Sequence, residues 1–170
     1  VDANGPVVSD TGELTWHRSP KGKGLVTVET DKSQALIGFV RDNNKTLKNL
    51  SAVVENEFCS LILTSLDAQP ISSSGRLLLV ATARSANSGM TWNENRTSLS
   101  DWGAAPMVIE PVRAKLTLRN MDPSKRAEIL PLTGEGKAAA KPVIAQSSTE
   151  GFTFTLGEPA TTWYLITIRR

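Results

Sequence analysis

Along most of the chain apolar and polar positions alternate with a period of two, the spacing of a strand with one face in and one face out. Residues 13–18 and 25–29 are two such runs, and the link Ser19-Pro20-Lys21-Gly22-Lys23-Gly24 predicts a hairpin between them. Further strands are predicted at 34–40 and 50–54, followed by the most apolar pair in the sequence, 58–66 and 76–84. In that pair both alternating sets are apolar. Leu61 and Leu63 oppose Ile62 and Leu66, while Leu77, Leu79 and Ala81 oppose Leu78 and Val80. Strands apolar on both sides are expected to be buried on both sides and central in their sheet. The residues between them, Asp67 to Pro70 and then Ser72-Ser73-Ser74-Gly75, have the turn chemistry of a long hairpin.

Residues 85–105 break the alternation. This stretch is polar, rich in Asn, Ser and Gly, and holds Trp92 and Trp102, which predicts one long loop carrying two of the four tryptophans. Strand character returns at 107–109 and 112–119, where Ala114, Leu116 and Leu118 alternate with Lys115, Thr117 and Arg119. Short strands are then predicted at 126–132, 142–146, 151–156 and 162–168. Trp163 and Tyr164 fall on opposite faces of the last, with Trp163 expected in the core and the Tyr164 hydroxyl at the surface. Ala138-Ala139-Ala140 is long enough for one helical turn at most. About a dozen short strands bounded by turns predict an all-β fold: an antiparallel β-sandwich, Ig-like or jelly-roll-like.

Length and composition bound this picture. The 170 residues fit a single module over 1–170. With 39% hydrophobic residues and 19 basic against 17 acidic side chains, the chain is too apolar and too balanced for disorder. The same balance gives no strong field for nucleic acid or an anionic membrane. No apolar run approaches the roughly 20 residues needed to span a bilayer. The start Val1-Asp2-Ala3-Asn4-Gly5-Pro6 carries no signal peptide and reads as a segment excised from something longer. Three triplets, at Asn44, Asn49 and Asn95, match the glycosylation pattern.

The scarce residues narrow the chemistry further. One cysteine, Cys59, precludes an internal disulfide and multi-cysteine metal sites, and one histidine, His17, precludes His-pair metal motifs. A Ser-His-Asp triad would have to use His17, and a Cys-His pair would need Cys59 beside it. Cys59 reads as inert packing and His17 as a surface or capping residue. No phosphate-cradling glycine loop or nucleophile elbow occurs. No cofactor is expected; loop Asp and Asn residues could chelate Ca²⁺, but no EF-hand-like spacing supports it. Lys21, Lys23 and Arg18 read as a solvated basic turn.

The tryptophans carry the functional lead. Aromatic residues are only 5% of the chain, yet four of them are Trp. Sugar rings present C–H faces that stack on indole, and their hydroxyls need polar partners nearby. Around Trp92 and Trp102, the residues Asn93, Glu94, Asn95, Arg96 and Asp101 supply that set, and Trp16 is a secondary candidate. The bland alternative is that both indoles anchor the loop to the sandwich. A two-carboxylate hydrolase is a third option, with Asp101 and Glu110 flanking the loop and Glu55 and Glu57 preceding a central strand.

Short fragments spread over nearly the whole chain resemble a known kind of module. They include Ser9 to Trp16, Val26 to Thr30, Ser33 to Phe39, Thr64 to Asp67, Ala83 to Met90, Arg96 to Gly103, Glu110 to Val112 and Thr161 to Tyr164. Together they are similar to C-terminal β-sandwich accessory modules, like carbohydrate-binding modules, of large bacterial glycoside-hydrolase-like proteins. The resemblance implies a secreted, non-catalytic module next to a catalytic barrel, and no catalytic residue is carried over. The expected partners are a polysaccharide or oligosaccharide and the catalytic domain of the same parent chain. The rival is a purely structural module packed against that catalytic domain.

Overall fold

The computed structural model describes residues 5–19, 21–43 and 45–170. The predicted excised start Val1-Asp2-Ala3-Asn4, Pro20 of the first hairpin link and the Asn44 glycosylation match lie outside the described residues.

Alternating sequence becomes two antiparallel sheets. The larger has nine strands in the order β1 (Val7–Val8), β2 (Leu14–His17), β3 (Leu25–Glu29), β4 (Ser33–Gly38), β6 (Cys59–Ser65), β7 (Arg76–Thr82), β17 (Trp163–Arg169), β13 (Arg126–Leu132) and β14 (Val143–Ile144). The smaller runs β15 (Gln146–Ser148), β16 (Gly151–Leu156), β12 (Ala114–Arg119) and β5 (Leu50–Val54). One helical turn, α1 (Val40–Asn43), lies between β4 and β5. The fold is an antiparallel, sandwich-like all-β structure.

One core joins the sheets. Leu36, Leu61, Leu63, Leu77, Leu79 and Ile166 of the large sheet and Leu50, Leu116, Leu118 and Phe152 of the small one are sealed from water in a single cluster. Each such side chain contributes about 1.5–3 kcal/mol relative to exposure. The strands β6 and β7 are central, as their apolar character predicts. Two-sided burial does not hold, however. Leu61, Leu63, Leu77 and Leu79 are buried, Ile62, Leu78 and Val80 are half-buried, and Leu66 is exposed. The small sheet packs on one face only, so the outer residues cover one another across neighbouring strands, Ile62 opposite Val80 for example.

The last strand corrects a second expectation. Tyr164 pairs with Leu79 and shares its inward face, whereas Trp163 pairs with Val80 on the outward one. Tyr164 is therefore buried at 2% exposure, and Trp163 is 41% exposed. Burial pushes the Tyr164 phenol above its ordinary pKa, opposed by a backbone hydrogen bond from Gly157. The run predicted at 142–146 is also divided. Its first half is β14 in the large sheet, and Gln146 opens β15 in the small one, with buried Ala145 at the crossing. The alanine stretch makes no helix; Ala138 bridges to Leu132 instead.

Polar side chains also tie the layers together. Gln34 on β4 accepts from the Asn49 backbone N–H at 2.8 Å and donates to its side-chain oxygen at 3.3 Å. The Asn49 amide in turn donates to the Arg119 carbonyl at 2.9 Å, at the end of β12. Both residues are buried, and an unpaired polar group sealed there would cost about 1–3 kcal/mol. The pair clasps the large sheet to the entry of the small one.

The β6–β7 connection is closed by Asp67. Its carboxylate accepts from Ser74 Oγ at 2.8 Å, Gly75 N at 2.7 Å and Ser65 Oγ at 2.9 Å. These bonds, Ser74 first, hold the carboxyl well below the usual carboxylate range despite partial desolvation. A carboxyl with a lowered native pKa adds stability above its ordinary value near ~4, and that stability is lost as pH falls toward the native value. Urea midpoints of the wild type should fall below about pH 4; Asp67→Asn should be less stable at pH 7 and show a shallower acid slope. Equal acid slopes in the two proteins would refute the role of Asp67.

Candidate functional site

The tryptophan-bearing stretch is not a loop. Residues 85–105 form most of a doubled ribbon, with β8 (Ser85–Ser88) paired to β11 (Ala104–Ile109) and β9 (Thr91–Trp92) paired to β10 (Leu99–Asp101). Three of its strands, β8, β9 and β10, are short and largely polar, and all six residues of the apolar β11 are exposed. Their backbone groups are paired but their side chains need no core, which removes the alternation that marks a buried strand.

Local side-chain bonds shape the ribbon. Asn93 accepts from the Thr97 N–H at 2.8 Å and donates to Thr97 Oγ1 at 2.9 Å, folding the β9–β10 turn on itself. Arg96 sits at the tip of that turn with φ 52°, in the left-handed region. Asp101 caps the next corner by accepting from the Gly103 N–H at 2.8 Å. At Gly103, φ is 66° and a Cβ would run into the Ser88 carbonyl, so only glycine lets the two ribbons approach there. Asn87 completes the corner by donating to the Trp102 carbonyl at 3.1 Å.

Neither indole is sealed beneath the ribbon: Trp92 is 48% and Trp102 is 71% exposed. Trp92 lines a groove of about 510 Å³ together with Arg84, Ser85, Ala86, Met90 and Arg96. Of the sequence-predicted site residues, Trp92 and Arg96 come together. Trp102, Asn93, Asn95 and Asp101 lie outside the groove lining, and Asn93 and Asp101 already hold backbone turns. Trp16 is exposed on β2, with the Arg18 guanidinium 5.1 Å from its ring centroid and Gly24 against its indole nitrogen.

Arg84 and Met90 were not predicted by the sequence reading. Arg84 ends the apolar run 76–84 and reads there as a strand terminus; only the fold turns it toward Trp92. One guanidinium nitrogen pairs with Glu57 at 2.9 Å, and Glu57 also reaches Lys23 at 3.5 Å, which pairs with Asp42 at 3.0 Å. This relay lowers the Glu57 pKa, first through the Arg84 hydrogen bond. Arg96 forms no ion pair among the described residues.

The other candidates separate. Glu55 and Glu110 line a second cleft of about 300 Å³ with Asn56, Pro111 and Arg113. There Glu110 accepts from Asn56 Nδ2 at 2.8 Å, and Asn56 Oδ1 accepts from the Arg113 N–H at 2.8 Å. Asn56 is thus a buried organiser of that bend, which its sequence context did not signal. His17 hydrogen-bonds Thr27 at 3.1 Å, and desolvation, then the Lys45 charge, lowers its pKa. Among the described residues no group of three or more His, Cys, Asp or Glu side chains is placed to hold a metal ion.

Cys59 is fully buried, and burial, aided by the Glu110 charge, pushes its thiol up to about 11. The thiolate is the reactive form. Native protein at pH 8 should resist Ellman's reagent and yield one thiol per chain in guanidinium chloride. Stoichiometric native reaction within seconds would show Cys59 to be open.

Comparison with known proteins finds no matching family model, no matching curated protein and no matching solved structure.

Proposed function

We propose that this protein is a non-catalytic carbohydrate-binding module that holds a polysaccharide-degrading enzyme on its substrate. The observation that supports it is an exposed indole, Trp92, lining a groove with two guanidinium groups, Arg96 on the ribbon and Arg84 at its base. Indole offers a flat apolar face for a sugar ring, and guanidinium offers fixed donors for its oxygens. Trp102 and Asn95, exposed on the same ribbon, would extend contact along a chain of sugars, with Asn93 and Asp101 fixing the turns beneath. Linked to a catalytic domain, even a weak site raises the effective substrate concentration. The reading carries with it an extracellular, secreted location and no bound cofactor.

Affinity electrophoresis against a panel of soluble and insoluble glycans is the test. Retardation is expected on at least one glycan, weakened about tenfold by Trp92→Ala, in line with loss of one stacking contact. Folded protein that no glycan retards would sink the proposal.

A second reading, packing against the catalytic domain of the parent chain, is favoured by β11. All six of its residues are exposed, including Met107 at 67%, Val108 and Ile109. Consecutive strand residues face opposite ways, so an apolar surface is open on both sides of the ribbon. Amide hydrogen exchange over residues 104–109 should then be slower in the parent protein than in this module alone. Equal rates would remove this reading.

A further inference from the structure

Resting on the sugar-binding reading above, we infer that the groove beside Trp92 takes sugar rings bearing an anionic group, a carboxylate or a sulfate, in preference to neutral ones. The inventory of its lining decides this. Arg84 and Arg96 are donors only, since guanidinium has no acceptor. Trp92, Met90 and Ala86 contribute apolar surface, and the Ser85 hydroxyl is the one side-chain acceptor in the lining. Neither of the ribbon's acids, Glu94 and Asp101, lines the groove, nor do its amides Asn93 and Asn95.

A neutral sugar hydroxyl both donates and accepts, so a site selective for neutral rings surrounds them with carboxylates and amides as well as donors. A lining whose charged side chains are both donors matches a group that only accepts. Carboxylate and sulfate are such groups, and guanidinium meets both with paired, charge-assisted hydrogen bonds. The two arginines are not equivalent. Arg84 is partly neutralised by Glu57, whereas Arg96 brings a positive charge with no ion-pair partner among the described residues, at the tip of a turn whose left-handed backbone fixes its origin. Arg96 supplies the charge selectivity, Trp92 the ring recognition.

The test compares glycans that share a backbone and differ only in charge. Calorimetric titration would use oligogalacturonate against its methyl ester for the carboxylate, and carrageenan oligosaccharides against the same oligosaccharides after desulfation for the sulfate. At least one charged member should bind about tenfold more tightly than its neutral counterpart, the scale of one charge-assisted contact, and that advantage should shrink as salt is raised. Arg96→Gln should remove the advantage, weakening the charged member far more than the neutral one, and Trp92→Ala should weaken both to the same extent. Equal binding of charged and neutral members, sensitive to Trp92→Ala but not to Arg96→Gln, would overturn the charge preference and keep the sugar site. Binding of polyglutamate as tight as that of the charged glycan, indifferent to Trp92→Ala, would overturn it as a generic cationic patch. Absence of binding to every glycan, with circular dichroism showing folded protein, would overturn both readings.

Discussion

The structure depends on the unequal width of its two sheets. A nine-stranded sheet can bury only as much of one face as a four-stranded sheet covers, and the core forms where they overlap, under β3, β4, β6, β7, β17 and β13. Beyond that overlap strands are held by backbone pairing with little burial. β1, β2 and β14 at the margins of the wide sheet consequently keep Val7, Val8, Leu14, Val143 and Ile144 in solvent. The same limit leaves the outward face of β6, β7 and β17 to be covered by its own side chains, with Trp163 lying open there.

The sheet periodicity was legible in the sequence because burial writes itself at every second position. The strands predicted at 25–29, 50–54, 76–84, 112–119 and 151–156 match the observed ones to within two residues at either end. Which of two apolar faces is the inner one was not legible. Trp163 and Tyr164 differ by a single residue, and their assignment rests on pairing with Val80 and Leu79, a register that the strand does not encode by itself. In that register Tyr164 shares the inward face with Ile166 and Ile168, and Trp163 shares the outward one with Leu165 and Thr167.

The lining of the groove was half legible. Trp92 and Arg96 stand four residues apart and could be singled out by type. Arg84 could not, since its role comes from the ribbon folding back over its own base. Asn93 and Asp101 stand out in the sequence as polar partners, and in the fold their side-chain oxygens satisfy nearby backbone N–H groups, a common duty of Asn and Asp at turns. The short polar strands β8, β9 and β10 gave no periodic signal, because strands paired without a core have no buried side to mark; of β11 only 107–109 stood out.

The base of that ribbon has a further consequence. The chain leaves β7 at Arg84 and returns at Glu110, and there the Glu110 N–H donates to the Arg84 carbonyl at 2.8 Å. Departure and return therefore meet at a single hydrogen-bonded neck, while the hydrophobic layers continue on either side of it. Whatever is carried beyond the neck can be lengthened, shortened or exchanged without moving the sheets. The body thus serves as a mount whose outgrowth can vary at small cost to the fold.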